Sequence, residues 1–160
     1  MKLLRFGPKG HEKPGIIDSN GNIRDLSEHI NDITGATICD TELAKIALID
    51  LEKLPKADVK RYGACVGNVG KFICIGLNYS DHAEEADMIV PAEPLIFAKA
   101  TSAISGPNDN VEIPRGANTT DWEVELGVVI GKTAKYIDTD EALEYVAGYC
   151  VINDVSERDF

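Results

Sequence analysis

Apolar and polar residues alternate along residues 121–131, DWEVELGVVIG. Every second position is apolar, and a period of two predicts a β-strand with one face in a core. The apolar positions are Trp122, Val124, Leu126, Val128 and Ile130. Glu123 and Glu125 share the other face, roughly 6–7 Å apart along the strand. Because two carboxylates this close repel each other, that face is either wet or holds a positive charge between them.

Residues 1–69 show the pattern of a small N-terminal α+β domain followed by a linker. The stretch KLLRFG predicts a first strand, and Asn20-Gly21 between two apolar runs predicts a hairpin turn. Residues 41–54 carry apolar side chains at helical spacing, which predicts one amphipathic helix ended by Pro55. The Gly-rich stretch 55–70 lacks periodicity and predicts the linker.

Residues 70–160 predict a strand-rich second domain. Their predicted strands lie in 71–79, 91–107, 110–114, 121–131 and 149–154, and their predicted helices in 80–88 and 140–148. This order does not fit a doubly wound βαβ fold. The sequence therefore predicts an α+β class dominated by strands.

Composition and charge narrow the function classes. The chain is 44% hydrophobic and 27% charged, which is typical of a globular protein. Its net charge of −11 disfavours nucleic acid as a partner, because such binding depends on Lys and Arg clusters. No apolar run approaches the roughly 20 residues of a membrane span. The four cysteines form no C-x-x-C pair and no zinc spacing, so we expect reduced thiols in a cytoplasmic protein.

A third carboxylate is predicted to join the glutamate pair. Asp154 lies where the apolar run YCVIND ends, and a carboxylate at a strand end is well placed to meet a pair on a neighbouring strand. Three carboxylates without His or Cys form an all-oxygen set that suits Mg²⁺, Mn²⁺ or Ca²⁺. A solvated outer strand face explains the same residues equally well, and the pattern alone leaves both interpretations open.

Polar residues around the predicted helix at 80–88 offer further chemistry. His82 and Glu85 are three residues apart and would share a helix face, as a base oriented by a carboxylate does. A solvent-facing polar helix is the simpler interpretation of that spacing. Lys99 lies in an apolar run, where a lysine either reaches solvent or meets an anion. Asn78 and Tyr79 fit either a binding site or ordinary capping and packing.

Four motifs in this order resemble the fumarylacetoacetate hydrolase family. They are GLNYSDHAEE, PAEPLIFAKATSAISGPND, DWEVELGVVIG and GYCVINDVSERDF. Within the family, the chain is most similar to the bacterial branch of hydroxyheptadienedioate isomerases and ureidoglycolate lyases. The resemblance is strong over residues 70–160 and weak before them. It implies a small N-terminal domain, 1–69, followed by part of a mixed β-roll, 70–160, usually as a homodimer.

The resemblance also implies a metal site. Glu123, Glu125 and Asp154 are expected to bind Mg²⁺ or Mn²⁺, with Ca²⁺ as a substitute. That cation would be the positive charge between the two glutamates. It would hold two oxygens of a small-molecule 2-oxo acid and stabilise the enolate that forms when a C–C bond breaks or a proton migrates.

Five further residues receive roles from the resemblance. His82 and Glu85 are expected to act as a proton-transferring or water-activating pair on a lid helix. Asn78, Tyr79 and Lys99 are expected to contact the substrate. Many members carry arginine where this chain has Leu77, which leaves no arginine to bind a substrate carboxylate from that position.

The expected function is hydrolysis, isomerisation or decarboxylation of 2-oxo dicarboxylic acids such as acylpyruvates or hydroxydienoates. Two alternatives stay open: a ureidoglycolate lyase, and an inactive fragment or non-catalytic cation-binding domain. Members of the family continue well past the metal aspartate. We therefore expect the chain to be a fragment, or a protein that lacks the later strands of the roll.

Overall fold

The computed structural model describes residues 1–85 and 87–159 and shows a strand-rich fold. Its strands and α-helices are β1 Leu3–Phe6, β2 Lys13–Ile17, β3 Ile23–Asp25, α1 Asp40–Ala47, β4 Ile73–Gly76, α2 Ser80–Glu85, β5 Leu95–Ala98, β6 Thr120–Asp121, β7 Val124–Ile130, β8 Val146–Asn153 and β9 Ser156–Glu157. Short 3₁₀ helices cover Leu51–Lys53, Thr101–Ala103 and Thr139–Tyr145. The predicted strand-rich α+β class is confirmed. None of the helices in the described part of the chain has the length and apolar character that a membrane crossing requires.

The chain folds as two compact units. One unit combines Met1–Asn68 with Ser105–Phe160, and the other is Val69–Ile104. The second unit begins where the N-terminal domain was predicted to end. The division into domains 1–69 and 70–160 stays a prediction.

A three-stranded antiparallel sheet, in the order β1-β2-β3, forms the N-terminal part of the first unit. The hairpin predicted at Asn20-Gly21 is present, and Ile17 pairs with Ile23 across it. Gly21 has φ +81°, a conformation that glycine adopts without steric cost. The Asp18 carboxylate accepts hydrogen bonds from the backbone N–H groups of Asn20 and Asn22 at 2.9 and 2.8 Å, which fixes the turn.

The helix predicted over residues 41–54 is shorter in the structure. It ends at Ala47, and a separate 3₁₀ turn follows at Leu51–Lys53. The break is stabilised locally, because the Asp50 carboxylate accepts from the N–H of Glu52 and so begins the second turn. The apolar spacing nevertheless marks the core. Four buried side chains pack together there: Ile16, Leu26, Ile46 and Leu54.

Arg61 joins the N-terminal residues to the segment that precedes β6. Its guanidinium donates to both Asp109 carboxylate oxygens, at 2.7 and 2.5 Å, and to Glu12 at 2.9 Å. It also donates to the Gly7 carbonyl at 2.9 Å. These hydrogen bonds from Arg61, and then the N–H of Gly106, lower the pKa of Asp109 from 3.8 to about 2.

We expect Asp109→Asn to flatten the acid side of the stability profile. A carboxyl whose pKa is lower in the folded state stabilises the fold above its unfolded pKa, here 3.8, and loses that contribution as pH falls to about 2. Urea midpoints measured by circular dichroism between pH 5 and pH 2 should fall more steeply for wild type than for Asp109→Asn. Asp58→Asn, at an exposed carboxylate, is the matched control. Parallel profiles for wild type and Asp109→Asn would contradict this assignment.

The second unit contains the paired strands β4 and β5, with α2 in the segment that connects them. The two strands are antiparallel, with Cys74 opposite Phe97. The chain leaves β4 through Leu77, whose φ of +50° produces a sharp turn toward α2. The predicted helix 80–88 is present as Ser80–Glu85, and Ala86 lies outside the described residues.

Three sequence predictions for residues 105–160 were wrong in detail. Residues 110–114 form no strand; they include Pro114, which has no N–H to donate to a ladder. The helix predicted at 140–148 is a 3₁₀ helix, Thr139–Tyr145. Strand β8 then starts at Val146, three residues before the predicted start at Tyr149, because its ladder with β7 extends to the Ile130–Val146 pair.

Candidate functional site

Strands β7 and β8 form a long antiparallel ladder that positions the predicted metal ligands. Glu125 is opposite Ile152, and Val124 is opposite Asn153. The same register continues one residue beyond the ladder, where the Asp154 N–H donates to the Glu123 carbonyl at 2.8 Å. Glu123 and Asp154 are therefore direct cross-strand neighbours.

This register places Glu123, Glu125 and Asp154 on one face of the ribbon. Side chains directly opposite each other have Cβ atoms about 4.5–5.5 Å apart, and diagonal neighbours about 7–8 Å. Glu123 is opposite Asp154, and Glu125 is the diagonal neighbour of Asp154. The three carboxylates are thus neighbours, although Asp154 is about 30 residues distant along the chain.

The carboxylate face is the more buried one, which corrects the expectation that the apolar face lies in a core. Asp154 is only 8% exposed, and Glu123 and Glu125 are half-buried. On the other face every alternate apolar side chain of the strand is exposed: Trp122, Val124, Leu126, Val128 and Ile130. Alternation predicted the two faces correctly, but no described residue packs over the apolar one closely enough to bury it.

We expect this apolar face to drive association of the 160-residue chain. Leu126 and Val151 are cross-strand partners and are 60% and 80% exposed. Leu126→Lys with Val151→Glu places an opposite-charge pair there, which keeps the ladder favourable while removing apolar surface. Sedimentation velocity should show a shift toward monomer for this double variant.

Leu48→Lys is the matched control, because Leu48 is 87% exposed and lies between α1 and the following 3₁₀ turn. It should leave the sedimentation profile unchanged. A wild-type chain that is monomeric at all concentrations would contradict the expected association.

A positive side chain that the sequence analysis did not identify lies beside Glu123. Arg158 donates to the Asp121 carboxylate at 3.0 Å and also to Glu123. It is brought there by the β6–β9 pairing, in which Asp121 is opposite Ser156. Hydrogen bonds to Asp121 and then to Glu123 raise the pKa of Arg158. In the sequence, Arg158 is marked only by its position four residues after Asp154. Its partners Asp121 and Glu123 become evident only from the strand pairing.

Glu157 fixes the same strand ends. Its carboxylate accepts from the Thr119 N–H at 3.1 Å and from the hydroxyls of Thr119 and Thr120. The hydrogen bonds from Thr119, and then from Thr120, lower the pKa of Glu157. This keeps Glu157 ionised and holds β6 against β9, next to Arg158. None of these residues was identified as functional from the sequence.

The donor set fits a hard cation, but the side chains are not gathered around one point. Among residues 1–85 and 87–159, no group of three or more His, Cys, Asp or Glu side chains is close enough to hold a metal ion. Arg158 occupies the Glu123 carboxylate. The shared face and all-oxygen chemistry are suited to Mg²⁺ or Mn²⁺, and ligation by these three residues stays a prediction.

The predicted acid–base pair lies on α2 in the second unit. His82 and Glu85 are both exposed and are three residues apart on the helix. The backbone N–H of His82 donates to the Asp81 carboxylate at 2.9 Å. Ala83 is the buried residue of α2. Within the described residues no hydrogen bond joins His82 to Glu85. The role of His82 and Glu85 as an acid–base pair stays a prediction.

The three predicted substrate contacts flank this helix and the neighbouring strand. Asn78 and Tyr79 are exposed in the turn between β4 and α2. Lys99 follows the last residue of β5 instead of lying inside the strand, and its N–H donates to the Phe72 carbonyl at 3.1 Å. All three belong to the same compact unit as α2.

Comparison with known proteins gives this arrangement a family. A family model described as the C-terminal domain of fumarylacetoacetate hydrolase matches residues 71–160, more than half of the chain. The chain belongs to the fumarylacetoacetate hydrolase family. The matched range contains every residue of the candidate site, and the resemblance inferred from the four motifs is confirmed.

Relatives from Burkholderia extend the similarity to the whole chain. A protein of Burkholderia lata named as a hydrolase is 61% identical over 161 aligned residues. A protein of Burkholderia cenocepacia with a similar name is 60% identical. Each alignment covers 100% of this chain and 57% of the relative. The chain thus spans a little over half the length of these family members.

Solved structures of the family share the fold. An HpcE protein from Mycobacterium smegmatis matches with a TM-score of 0.81 at 30% identity, over 99% of this chain and 56% of its own. A fumarylacetoacetate hydrolase from Exiguobacterium antarcticum matches at 0.76 and 31% identity, over 99% and 57%. A Mycobacterium abscessus protein described as a 2-hydroxyhepta-2,4-diene-1,7-dioate isomerase matches at 0.73 and 31% identity, over 99% and 54%. The chain therefore has the fold of enzymes named as hydrolases and isomerases.

Proposed function

We propose that this chain carries the metal-ligand strands of a divalent-metal-dependent enzyme that acts on 2-oxo dicarboxylic acids. The observation that carries the proposal is the β7–β8 register, which places Glu123, Glu125 and Asp154 on one partly buried face. The names of the solved relatives support a hydrolase or isomerase acting on this class of compound. The reaction we favour is C–C hydrolysis, or isomerisation with decarboxylation, of an acylpyruvate or hydroxydienoate.

The carboxylate face supplies the ligands in this proposal. Glu123, Glu125 and Asp154 would hold Mg²⁺ or Mn²⁺, with Ca²⁺ as a substitute, through oxygen atoms alone. When bound there, the cation would supply Lewis-acid polarisation of a 2-oxo acid's oxygens. Arg158 already contacts Glu123, so cation binding at this carboxylate competes with the Arg158 ion pair.

The family resemblance assigns proton transfer and substrate contacts to further residues. His82 would take up or release the proton through its imidazole, which is the commonest general acid or base side chain in enzymes. Glu85, one helical turn away, would hold the imidazole in one tautomer. Lys99 would bind a substrate carboxylate through its ammonium group, and Asn78 and Tyr79 would donate hydrogen bonds to substrate oxygens.

A substrate screen tests this proposal. The chain is assayed with acylpyruvates, hydroxydienoates and ureidoglycolate, each with Mg²⁺, with Mn²⁺ and with a chelator. Turnover of a 2-oxo acid that the chelator abolishes and the cation restores is the expected result. Turnover of ureidoglycolate alone would replace this proposal with the lyase. Cation binding without turnover of any of the three would favour a non-catalytic cation-binding domain.

We also propose, from the family resemblance, a cytoplasmic homodimer without nucleic-acid or membrane partners. The net charge of −11 supports the absence of a nucleic-acid partner. The exposed apolar face of β7 and β8 supports self-association. Light scattering coupled to size exclusion distinguishes a closed dimer from open-ended association.

A further inference from the structure

The Glu123 carboxylate is in contact with a positive side chain of the chain itself. The Arg158 guanidinium donates to Glu123, and it also donates to the Asp121 carboxylate, from Nε at 3.3 Å and from Nη2 at 3.0 Å. The side chain of Glu123 is 20% exposed, whereas those of Arg158 and Asp121 are 46% and 49% exposed. The more sheltered of the two carboxylates is therefore the one on the face shared with Glu125 and Asp154.

Contacts that do not involve Glu123 fix the position of this guanidinium. Strands β6 and β9 pair with Asp121 opposite Ser156. The backbone N–H of Arg158 donates to the Thr119 carbonyl at 3.2 Å. The side chain of Arg158 thus starts from a hydrogen-bonded backbone, and Asp121 holds its far end. Arg158 is therefore held at these strand ends independently of its contact with Glu123.

The backbone of Glu123 is fixed as well. Its N–H donates to the side-chain oxygen of Asn153 at 3.2 Å, and its carbonyl accepts from the N–H of Asp154 at 2.8 Å. These bonds keep Glu123 beside β8 whichever positive charge its carboxylate meets. Only the side chain has to turn for Glu123 to join Glu125 and Asp154 around a cation.

The contact with Arg158 accounts for three carboxylates that share a face without gathering around one point. Within residues 1–85 and 87–159 they form no group close enough to hold a metal ion. A guanidinium and a divalent cation are attracted by the same carboxylate and repel each other at short range. A cation that takes Glu123 as a ligand therefore has to displace the Arg158 contact. Asp121 remains as a partner of the guanidinium, so this displacement leaves no unpaired charge.

We propose that Arg158 is the counter-ion of Glu123 in the cation-free chain and a positioning residue that sets the cation affinity of the carboxylate face. The inference rests on the metal site of the proposed function. Without a cation, the guanidinium bridges Glu123 and Asp121 and neutralises the sheltered carboxylate. When Mg²⁺ or Mn²⁺ binds, the side chain of Glu123 turns to the cation, and Arg158 stays with Asp121.

Calorimetric titration of the 160-residue chain with Mg²⁺ and with Mn²⁺ tests this role. Arg158→Gln removes the guanidinium and keeps a polar side chain. It should bind each cation about two- to fivefold more tightly than wild type, which is the range that a partly exposed ion pair contributes. Arg158→Lys keeps the charge without the planar fork, so its affinity should lie between the two. Arg115→Gln, the same change at an exposed arginine, is the matched control and should bind as wild type does.

Thermal unfolding supplies a second readout that does not depend on turnover. Without a cation, Arg158→Gln should unfold at a lower temperature than wild type, because the sheltered Glu123 carboxylate loses a partner. Saturating Mn²⁺ should raise the unfolding temperature of Arg158→Gln more than that of wild type, since tighter binding stabilises the folded chain more. Arg115→Gln should follow wild type in both conditions.

The outcomes separate this inference from the proposed function. If wild type binds a cation and Arg158→Gln binds it equally or more weakly, the counter-ion role is overturned while the metal site stands. Weaker binding would mean that Arg158 orients Glu123 as a ligand. Equal tightening in Arg115→Gln would reduce the effect to net charge and would also overturn the role.

Cation binding by Arg158→Gln but not by wild type would support the counter-ion role most directly. If neither chain binds Mg²⁺ or Mn²⁺, the metal site and the counter-ion role fail together. If Arg158→Gln does not fold, the comparison of Arg158→Lys with wild type decides in the same way.

Discussion

Glu125→Gln is expected to weaken Mg²⁺ or Mn²⁺ binding by roughly tenfold or more, about 1.4 kcal/mol, while the chain stays folded. The substitution removes one anionic ligand from a three-carboxylate set and keeps the size of the side chain. Within residues 1–85 and 87–159 the Glu125 carboxylate makes no ion pair or hydrogen bond that its loss would break. Losing a like charge beside Glu123 also removes a repulsion. Titration calorimetry measures the affinity, and circular dichroism reports the thermal unfolding temperature.

Two further variants sharpen this result. Glu112→Gln makes the same charge change at an exposed position outside the carboxylate face, so its cation affinity should equal that of wild type. Glu123→Gln should lose affinity and also weaken the contact with Arg158 that helps to hold the strand ends. A wild-type chain that binds neither Mg²⁺ nor Mn²⁺ would contradict the proposed metal site. Equal affinities of wild type and Glu125→Gln would remove Glu125 from the ligand set.

The strand that carries the glutamates could be predicted because its information is local. Alternation over residues 121–131 set the strand and its two faces, and the structure has β7 at Val124–Ile130. Which face becomes buried is not local, because it depends on what packs over the ribbon. Asp18 and Arg24 illustrate the same limit at another position. Nothing in the sequence indicated that they form a buried ion pair. In the structure the Arg24 Nε atom lies 2.8 Å from the Asp18 Oδ2 atom, and both residues are buried.

The part of the candidate site that depends on the end of one strand could be predicted from the sequence. The end of the apolar run at Asp154 correctly marked the end of β8, and an antiparallel register then made Asp154 the neighbour of Glu123. Arg158 could not be inferred in this way. Its position beside Asp121 and Glu123 depends on the pairing of two strands of only two residues each, β6 and β9, which are too short for a periodic pattern.

The end of the first helix was predicted wrongly for a related reason. The apolar spacing over residues 41–54 continues through Leu51 and Leu54, so the pattern alone predicts one helix. In the structure Ile46 of α1 and Leu54, which follows the 3₁₀ turn, both pack in the core. Both side chains reach the same cluster from separate elements, and a break between them does not change the burial pattern.

The second large effect is expected at His82, where His82→Asn should lower kcat roughly 10²–10⁴-fold toward the 2-oxo acid found in the screen. Asparagine keeps a polar side chain on α2 and removes the imidazole that is proposed to transfer the proton. Because His82 is exposed, thermal unfolding should stay at the wild-type temperature. Cation affinity should also stay unchanged, since the proposed ligands are all carboxylates. The loss would therefore appear in turnover alone.

A graded series separates proton transfer from a structural role of the helix. Glu85→Gln should keep part of the activity and move the pH dependence of kcat, because the imidazole loses the negative charge proposed to orient it. His29→Asn makes the same chemical change at an exposed histidine in the N-terminal part of the chain, and its pH profile should match that of wild type. Wild-type kcat in His82→Asn would leave α2 without a proton-transfer role. A fall in kcat together with an unchanged pH profile in Glu85→Gln would assign Glu85 to substrate contact instead of to the orientation of His82.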